Sequence, residues 1–271
     1  MSSAVILQHA PYAGPGRIVP VFRDFGIPID IRRTHQGDEV PTDLDDIRVL
    51  VVLGGPMHVK DVGGSQFSFL AQEVALLQRL IALDRPVLGI ALGAQLIAHA
   101  AGAKVYPNAK PGAHGAQGPQ DPTTPMPEFG WGPVTFPFPG GTEPMVYGMT
   151  DGAPMFHWHT DTFDLPKLPS PANPAPPPAP PPPTGNSLLS SSRVCKNQAF
   201  RFKNRIFGFQ YHIESTEADI EALLASDKDG VAALGPDGVA KVREGTGKNY
   251  RRFARLGDRL LGNFVQFLKA Y

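Results

Sequence analysis

The stretch that decides the fold reads Pro86-Val87-Leu88-Gly89-Ile90-Ala91-Leu92-Gly93-Ala94-Gln95-Leu96. Val87–Ile90 is a short apolar run of the kind that forms a strand buried on both faces. Leu92–Ala101 continues as a helix of small residues that can pack close behind that strand. Between them lies the spacing G-x-A-x-G, the pattern of a nucleophile elbow with alanine where the nucleophile belongs. The glycines have a physical reason. A sharp strand-to-helix turn holds its central residue in a strained backbone conformation, and flanking side chains would clash. The helix N-terminus beyond the turn offers backbone N–H groups and a positive dipole end to a developing oxyanion.

Working outward, Val49–Leu53 is a second continuous apolar run, ending in Gly54-Gly55-Pro56. Ala4–Gln8 and Ile29–Arg33 read as strands, and Gly16–Phe25 as a helix. Phe67–Leu83 reads as an amphipathic helix, with Leu70, Val74, Leu77 and Leu80 on one face. Lys104–Tyr106 reads as a short strand. Further strands are expected at Val134–Phe136, Met145–Tyr147, Met155–Trp158, Ser187–Ser191, Ala199–Phe202 and Ile206–Gln210. Helices are expected at Thr216–Ala225 and Asn249–Lys269, the second with Phe253, Leu256, Leu260, Phe264 and Phe267 facing a core. Strand–helix alternation implies a parallel sheet with helices on both faces. Sites in such sheets form beyond the carboxyl ends of the strands, where both glycine turns would sit.

Past the strand ending at Gln210 come Tyr211-His212-Ile213-Glu214. A histidine there can act as a general base, and a carboxylate two residues on can fix its tautomer and raise its basicity. His157-Trp158-His159-Thr160-Asp161 is a third cluster. Its two histidines lack a further ligand set nearby in sequence, so it is read as site wall and no metal is assigned.

These motifs together resemble the class I, triad-type glutamine amidotransferases, and the chain is similar to stand-alone members related to the amidotransferase half of GMP synthase. The matching stretches are Val51–Met57, Pro86–Leu96, Trp158–Leu165, Cys195–Phe202 and Phe209–Glu214, in family order over most of residues 3–215. The resemblance implies a flavodoxin-like three-layer α/β sandwich. It implies His212 as catalytic base and Glu214 as the residue orienting it. It implies backbone N–H groups of Gly55 and Leu92 as the oxyanion hole, Gln95 in the glutamine pocket, and no cofactor. The ancestral reaction is hydrolysis of the glutamine side-chain amide. Family members carry cysteine where this chain has Ala91, and a methyl group cannot attack an amide. Cys195, over a hundred residues away, is read as a buried small hydrophobe. Three readings stay open: a pseudoenzyme that binds glutamine or a γ-glutamyl compound; an active amidotransferase or γ-glutamyl amide hydrolase whose cysteine was replaced; and an interaction protein.

Composition bounds the rest. Lys plus Arg and Asp plus Glu are both 25, so the net charge is zero, which argues against nucleic-acid or anionic-membrane partners. A lone cysteine excludes internal disulfides and thiolate zinc sites. With no basic start, no long apolar run and no membrane span in the sequence, a cytoplasmic protein is expected. A synthase that accepts ammonia, as a separate subunit, is the partner the resemblance implies. The prolines cluster. Eleven fall between Pro166 and Pro183, in an insertion spanning 166–185 that favours solvated polyproline II and could recruit a partner. A second insertion, the Gly/Pro-rich 111–127, is read as a loop. The expected layout is an amidotransferase-like domain over 1–215 and a C-terminal helical extension over 216–271.

Overall fold

The computed structural model describes residues 2–112, 115–168 and 185–269. In chain order the strands and helices are β1 (Ser3–Gln8), α1 (Ile18–Asp24), β2 (Ile29–Arg33), β3 (Ile47–Val52), α2 (Phe69–Ala82), β4 (Val87–Ile90), α3 (Leu92–Ala100), β5 (Val105–Pro107), β6 (Ala109–Gly112), β7 (Gly115–Pro125), β8 (Glu128–Val134), β9 (Ala153–His159), β10 (Asp161–Phe163), β11 (Asn186–Ser190), β12 (Ala199–Phe202), β13 (Ile206–Phe209), α4 (Glu217–Ser226), α5 (Lys228–Leu234) and α6 (Gly238–Lys269). Seven strands form the central sheet in the order β11-β12-β13-β4-β3-β1-β2. The run from β13 to β2 is parallel, and β12 and β11 close one edge antiparallel. This is the flavodoxin-like three-layer sandwich, with a mostly parallel sheet.

Alternation along the strands sorts side chains into the two outer layers. Ala4, Ile6, Val49, Val51, Leu88 and Ile90 face α1, α4 and α6. Val5, Leu7, Leu50, Val52 and Val87 face α2 and α3. The apolar stripe of α2 places Leu70, Leu77 and Leu80 fully in that second layer. Helix α6 contributes Phe253, Leu260 and Phe264 to the first, with Leu256 and Phe267 packed at its border. Truncating a core leucine of this kind to alanine costs about 2–5 kcal/mol.

Four expectations are corrected. Met145–Tyr147 is no strand: Pro144–Val146 is a short 3-10 turn, because Pro144 starts a tight turn and donates no ladder hydrogen bond. Residues 111–127 are not a plain loop: β6 and β7 pair antiparallel. Each strand of a two-stranded ribbon is an edge, so its prolines can point their missing donor away from the partner. The expected strand at 134–136 lies earlier, as β8, and only Thr135 continues it through an isolated bridge to Ser191. Helix α6 starts eleven residues before the expected Asn249, and α5 was not anticipated. Of the proline-rich insertion, residues 169–184 lie outside the described residues.

Candidate active site

The G-x-A-x-G turn is built by close approach. A Cβ on Gly93 would lie 1.9 Å from the Val52 carbonyl oxygen, and one on Gly89 would lie 2.6 Å from the Gly93 carbonyl. Neither position admits a side chain, so α3 packs directly on β3 and β4. Ala91 between them has φ 49° and ψ −111°, a positive-φ conformation that costs a non-glycine residue about 1–3 kcal/mol. The Ala91 N–H donates to Phe209 O at 2.8 Å, which ties the bend to the end of β13. The Ala91 methyl therefore projects at the strand ends, over the N-terminus of α3.

His212 and Glu214 follow β13. His212 Nδ1 and Glu214 Oε1 are 2.8 Å apart, and His212 N donates to Phe156 O at 2.9 Å. Burial pulls the imidazole pKa down. The charge of Glu214 and its hydrogen bond outweigh that, and the net shift is upward. The point where a Cβ on Gly54 would sit is 3.0 Å from His212 Cε1 and 3.5 Å from the Ala91 methyl. The imidazole edge and the methyl thus border the same point beside Gly54.

They open on a cavity of about 240 Å³ at the carboxyl ends of the strands. Gly55, Ala91, Leu92, Gln95 and His212 all line it. The structure brings together every expected site residue except Glu214, which stands behind His212. The floor at Gly54-Gly55 rests on a second histidine. His9 Nδ1 lies 3.1 and 3.2 Å from the Leu53 and Gly54 carbonyls, and His9 Nε2 lies 2.8 Å from Glu73 Oε2. A Cβ on Gly55 would come 2.6 Å from His9 Cβ, so only glycine fits there.

Of the opposite wall, the sequence reading found only Trp158 and His159. Tyr12 follows β1, and Asp227, Asp229, Gly230 and Ala233 come from the α4–α5 region. Asp227 caps α5 by accepting Gly230 N–H at 3.0 Å and also accepts the Trp158 indole N–H at 2.7 Å. Trp158 and His159 join this wall. Tyr12 was signalled by its place after the first strand's carboxyl end. The α5 residues carried no comparable signal. Cys195 is fully buried, and the Thr162 hydroxyl lies 3.2 Å from its sulfur. Burial pushes its thiol pKa up to about 12, and it is not among the residues lining the cavity.

His157 and His159 are brought beside a partner from elsewhere. The β8–β9 register sets Glu128 opposite His159. Burial would raise the Glu128 pKa, but hydrogen bonding to His159 and the neighbouring imidazoles hold it below the ordinary carboxylate range. Burial pushes His157 down to about 4.

Residues 16–227 match the family of class I glutamine amidotransferases. The chain belongs to that family. The glutamine amidotransferase-like protein YfeJ of Salmonella typhimurium is 27% identical over 246 residues, covering 90% of this chain and 89% of its own. A glutamine amidotransferase structure from Methylobacillus flagellatus superposes with a TM-score of 0.75 at 22% identity, over 98% of this chain and 95% of the other. One from Thermotoga maritima gives 0.72 at 23% identity, over 98% of each chain. A GMP synthase-type protein from Thermoplasma acidophilum gives 0.57 at 20% identity, over 100% of this chain and 96% of the other. These amidotransferase likenesses support the fold. Among the described residues no helix is long and apolar enough to cross a membrane.

Proposed function

We propose that this chain recognises glutamine or a γ-glutamyl compound in the cavity and does not hydrolyse it. The observation that carries the reading is Ala91: a methyl at the strained bend, lining the same cavity as the His212 imidazole and bordering the same point beside Gly54. In a thiol-bearing relative the elbow sulfur would attack the amide carbon. The C–N bond would break as His212 protonates the departing ammonia, leaving a γ-glutamyl thioester for water to cleave. The N–H groups of Gly55 and Leu92 would hold the oxyanion, Gln95 would line the side-chain pocket, and Glu214 would orient His212. Without sulfur the two-step path is closed. Cys195 offers no substitute, being buried, protonated and away from the cavity. Residues 1–215 form the amidotransferase unit in this reading, and the helices after 215 finish the binding wall.

The intact surroundings favour a second reading. The Gly89–Gly93 contact and the His212–Glu214 hydrogen bond are those of a working site lacking only its nucleophile. This would be an amidotransferase or γ-glutamyl amide hydrolase whose cysteine has been replaced, handing ammonia to a synthase-type partner. Ammonia release from glutamine, measured on the chain as it stands and on Ala91→Cys, tests both. Turnover confined to Ala91→Cys is the expected result and would show a site complete but for its nucleophile. Inactivity in both forms would remove the second reading and leave a binding protein whose site has drifted. Rapid turnover by the alanine form contradicts both. Calorimetry should show weak heat with millimolar glutamine.

A further inference from the structure

We propose that Glu128, His157 and His159 form a binding site for one divalent transition-metal ion of the zinc type, set behind the wall of the amide cavity that His159 also lines. One ligand atom from each residue lies within 4.8 Å of the other two. The arrangement comes from the β8–β9 ribbon. Histidines two apart on β9 share a face, and the strand register brings Glu128 across to His159.

The proton accounting favours an ion. His159 Nδ1 lies 3.1 Å from the Asp161 carbonyl oxygen, which can only accept, so Nδ1 carries the hydrogen. In the neutral ring Nε2 then presents a lone pair, and it faces Glu128 Oε2 at 3.2 Å. Two acceptors do not rest against each other without a cation between them. A proton would satisfy that contact alone. It would leave His157 as it is: 2% exposed, with neither ring nitrogen hydrogen-bonded. The Gly132 backbone is near His157 but falls outside hydrogen-bond geometry. One cation shared by His157, His159 and Glu128 satisfies both histidines and the carboxylate.

The donor set and its backing also fit. Two imidazoles and one carboxylate suit zinc and its borderline neighbours, with bonds of about 2.0–2.2 Å. Such ligands are held from behind by further hydrogen bonds. Here His159 Nδ1 is held by the Asp161 carbonyl, Glu128 Oε1 accepts from Ser192 Oγ at 2.8 Å, and Glu128 Oε2 accepts from the Gln198 amide. An ion there would tie β8 and β9 to the segment leading into β12, and so fix the wall that carries Trp158.

The test uses the full chain, stripped with a chelator and titrated with Co²⁺ by visible absorption, then competed with Zn²⁺. The expected result is saturation at one equivalent with a low-symmetry Co²⁺ spectrum. His157→Gln and Glu128→Gln should each weaken binding at least about 100-fold, the upper end of what disturbing a supporting contact does. His58→Ala should leave binding unchanged; His58 pairs with Asp161 in a half-exposed position. Should the buried variants fail to fold, the unmodified chain still decides: its thermal midpoint should rise with Zn²⁺ and level off at one equivalent. No saturable binding and no midpoint rise, undiminished binding by a folded His157→Gln, or loss on His58→Ala would each overturn the site. The first of these would leave a purely hydrogen-bonded, water-filled cluster.

Discussion

His9–Glu73 and His212–Glu214 are the same chemistry in two settings. Each is an imidazole–carboxylate pair with a 2.8 Å contact. In each, burial would lower the histidine pKa and the carboxylate outweighs it. His9 has both ring nitrogens committed, to two carbonyls and to Glu73, and neither side chain of the pair is exposed. His212 commits one nitrogen to Glu214 and lines the cavity beside Ala91. Pairing alone therefore does not make a catalytic base. Access to a ligand does. The inner pair holds the Gly54–Gly55 floor, and the outer pair meets whatever lies on it.

The comparison can be broken from either side. The largest expected effect is on turnover: in the Ala91→Cys form, His212→Ala should lower ammonia release by about 10²–10⁴-fold, read by steady-state kinetics. Next, His9→Ala leaves Glu73 as an uncompensated buried charge and should cost about 3–5 kcal/mol in urea unfolding. The same change at His212 should cost less stability, because His212 lines the cavity and its removal would open Glu214 to water there. If His212→Ala proved the more destabilising of the two, the distinction between inner and outer pair would be lost.

A pH series sharpens the inner pair. The His9 pKa is raised on folding. Its stabilising contribution is therefore complete below the unfolded value of about 6.5 and disappears as pH rises through the folded value. The stability gap between the unmodified chain and His9→Gln should narrow as pH is raised through that window. A gap that widened with pH would show that His9 is neutral in the fold. The smallest effect concerns the wall opposite: Asp227→Ala removes the cap of α5 and the Trp158 hydrogen bond, and should cost about 1 kcal/mol in the same assay.

Most of the first half was legible because its signals are local. Strands β3 and β4 are unbroken apolar runs, and the glycines at 89 and 93 announce a contact too close for any side chain. The elbow at Ala91 and the histidine at 212 were legible from their places at strand ends, whereas Gly55, Leu92 and Gln95 were named from the family resemblance; all five line the cavity. What escaped depends on distant partners. Helix α6 begins at Gly238, through a stretch whose glycines argue against helix, because tertiary packing decides there: a Cβ on Gly245 would strike Trp131 at 2.5 Å, and the Trp131 indole donates to Thr246 at 3.0 Å. Asp227 and Gly230 entered the cavity only once α5 folded against Trp158. Glu128 sits 29 residues before His157 in the sequence, and only the β8–β9 register makes it a neighbour.

The account rests on Ala91 occupying the attacking position. Intact mass and peptide mapping of Ala91→Cys, quenched during reaction with glutamine, examine it directly. The expected result is one γ-glutamyl increment on the introduced thiol, none on Cys195, and none on the unmodified chain. An increment on Cys195, or one carried by the alanine form, would contradict it.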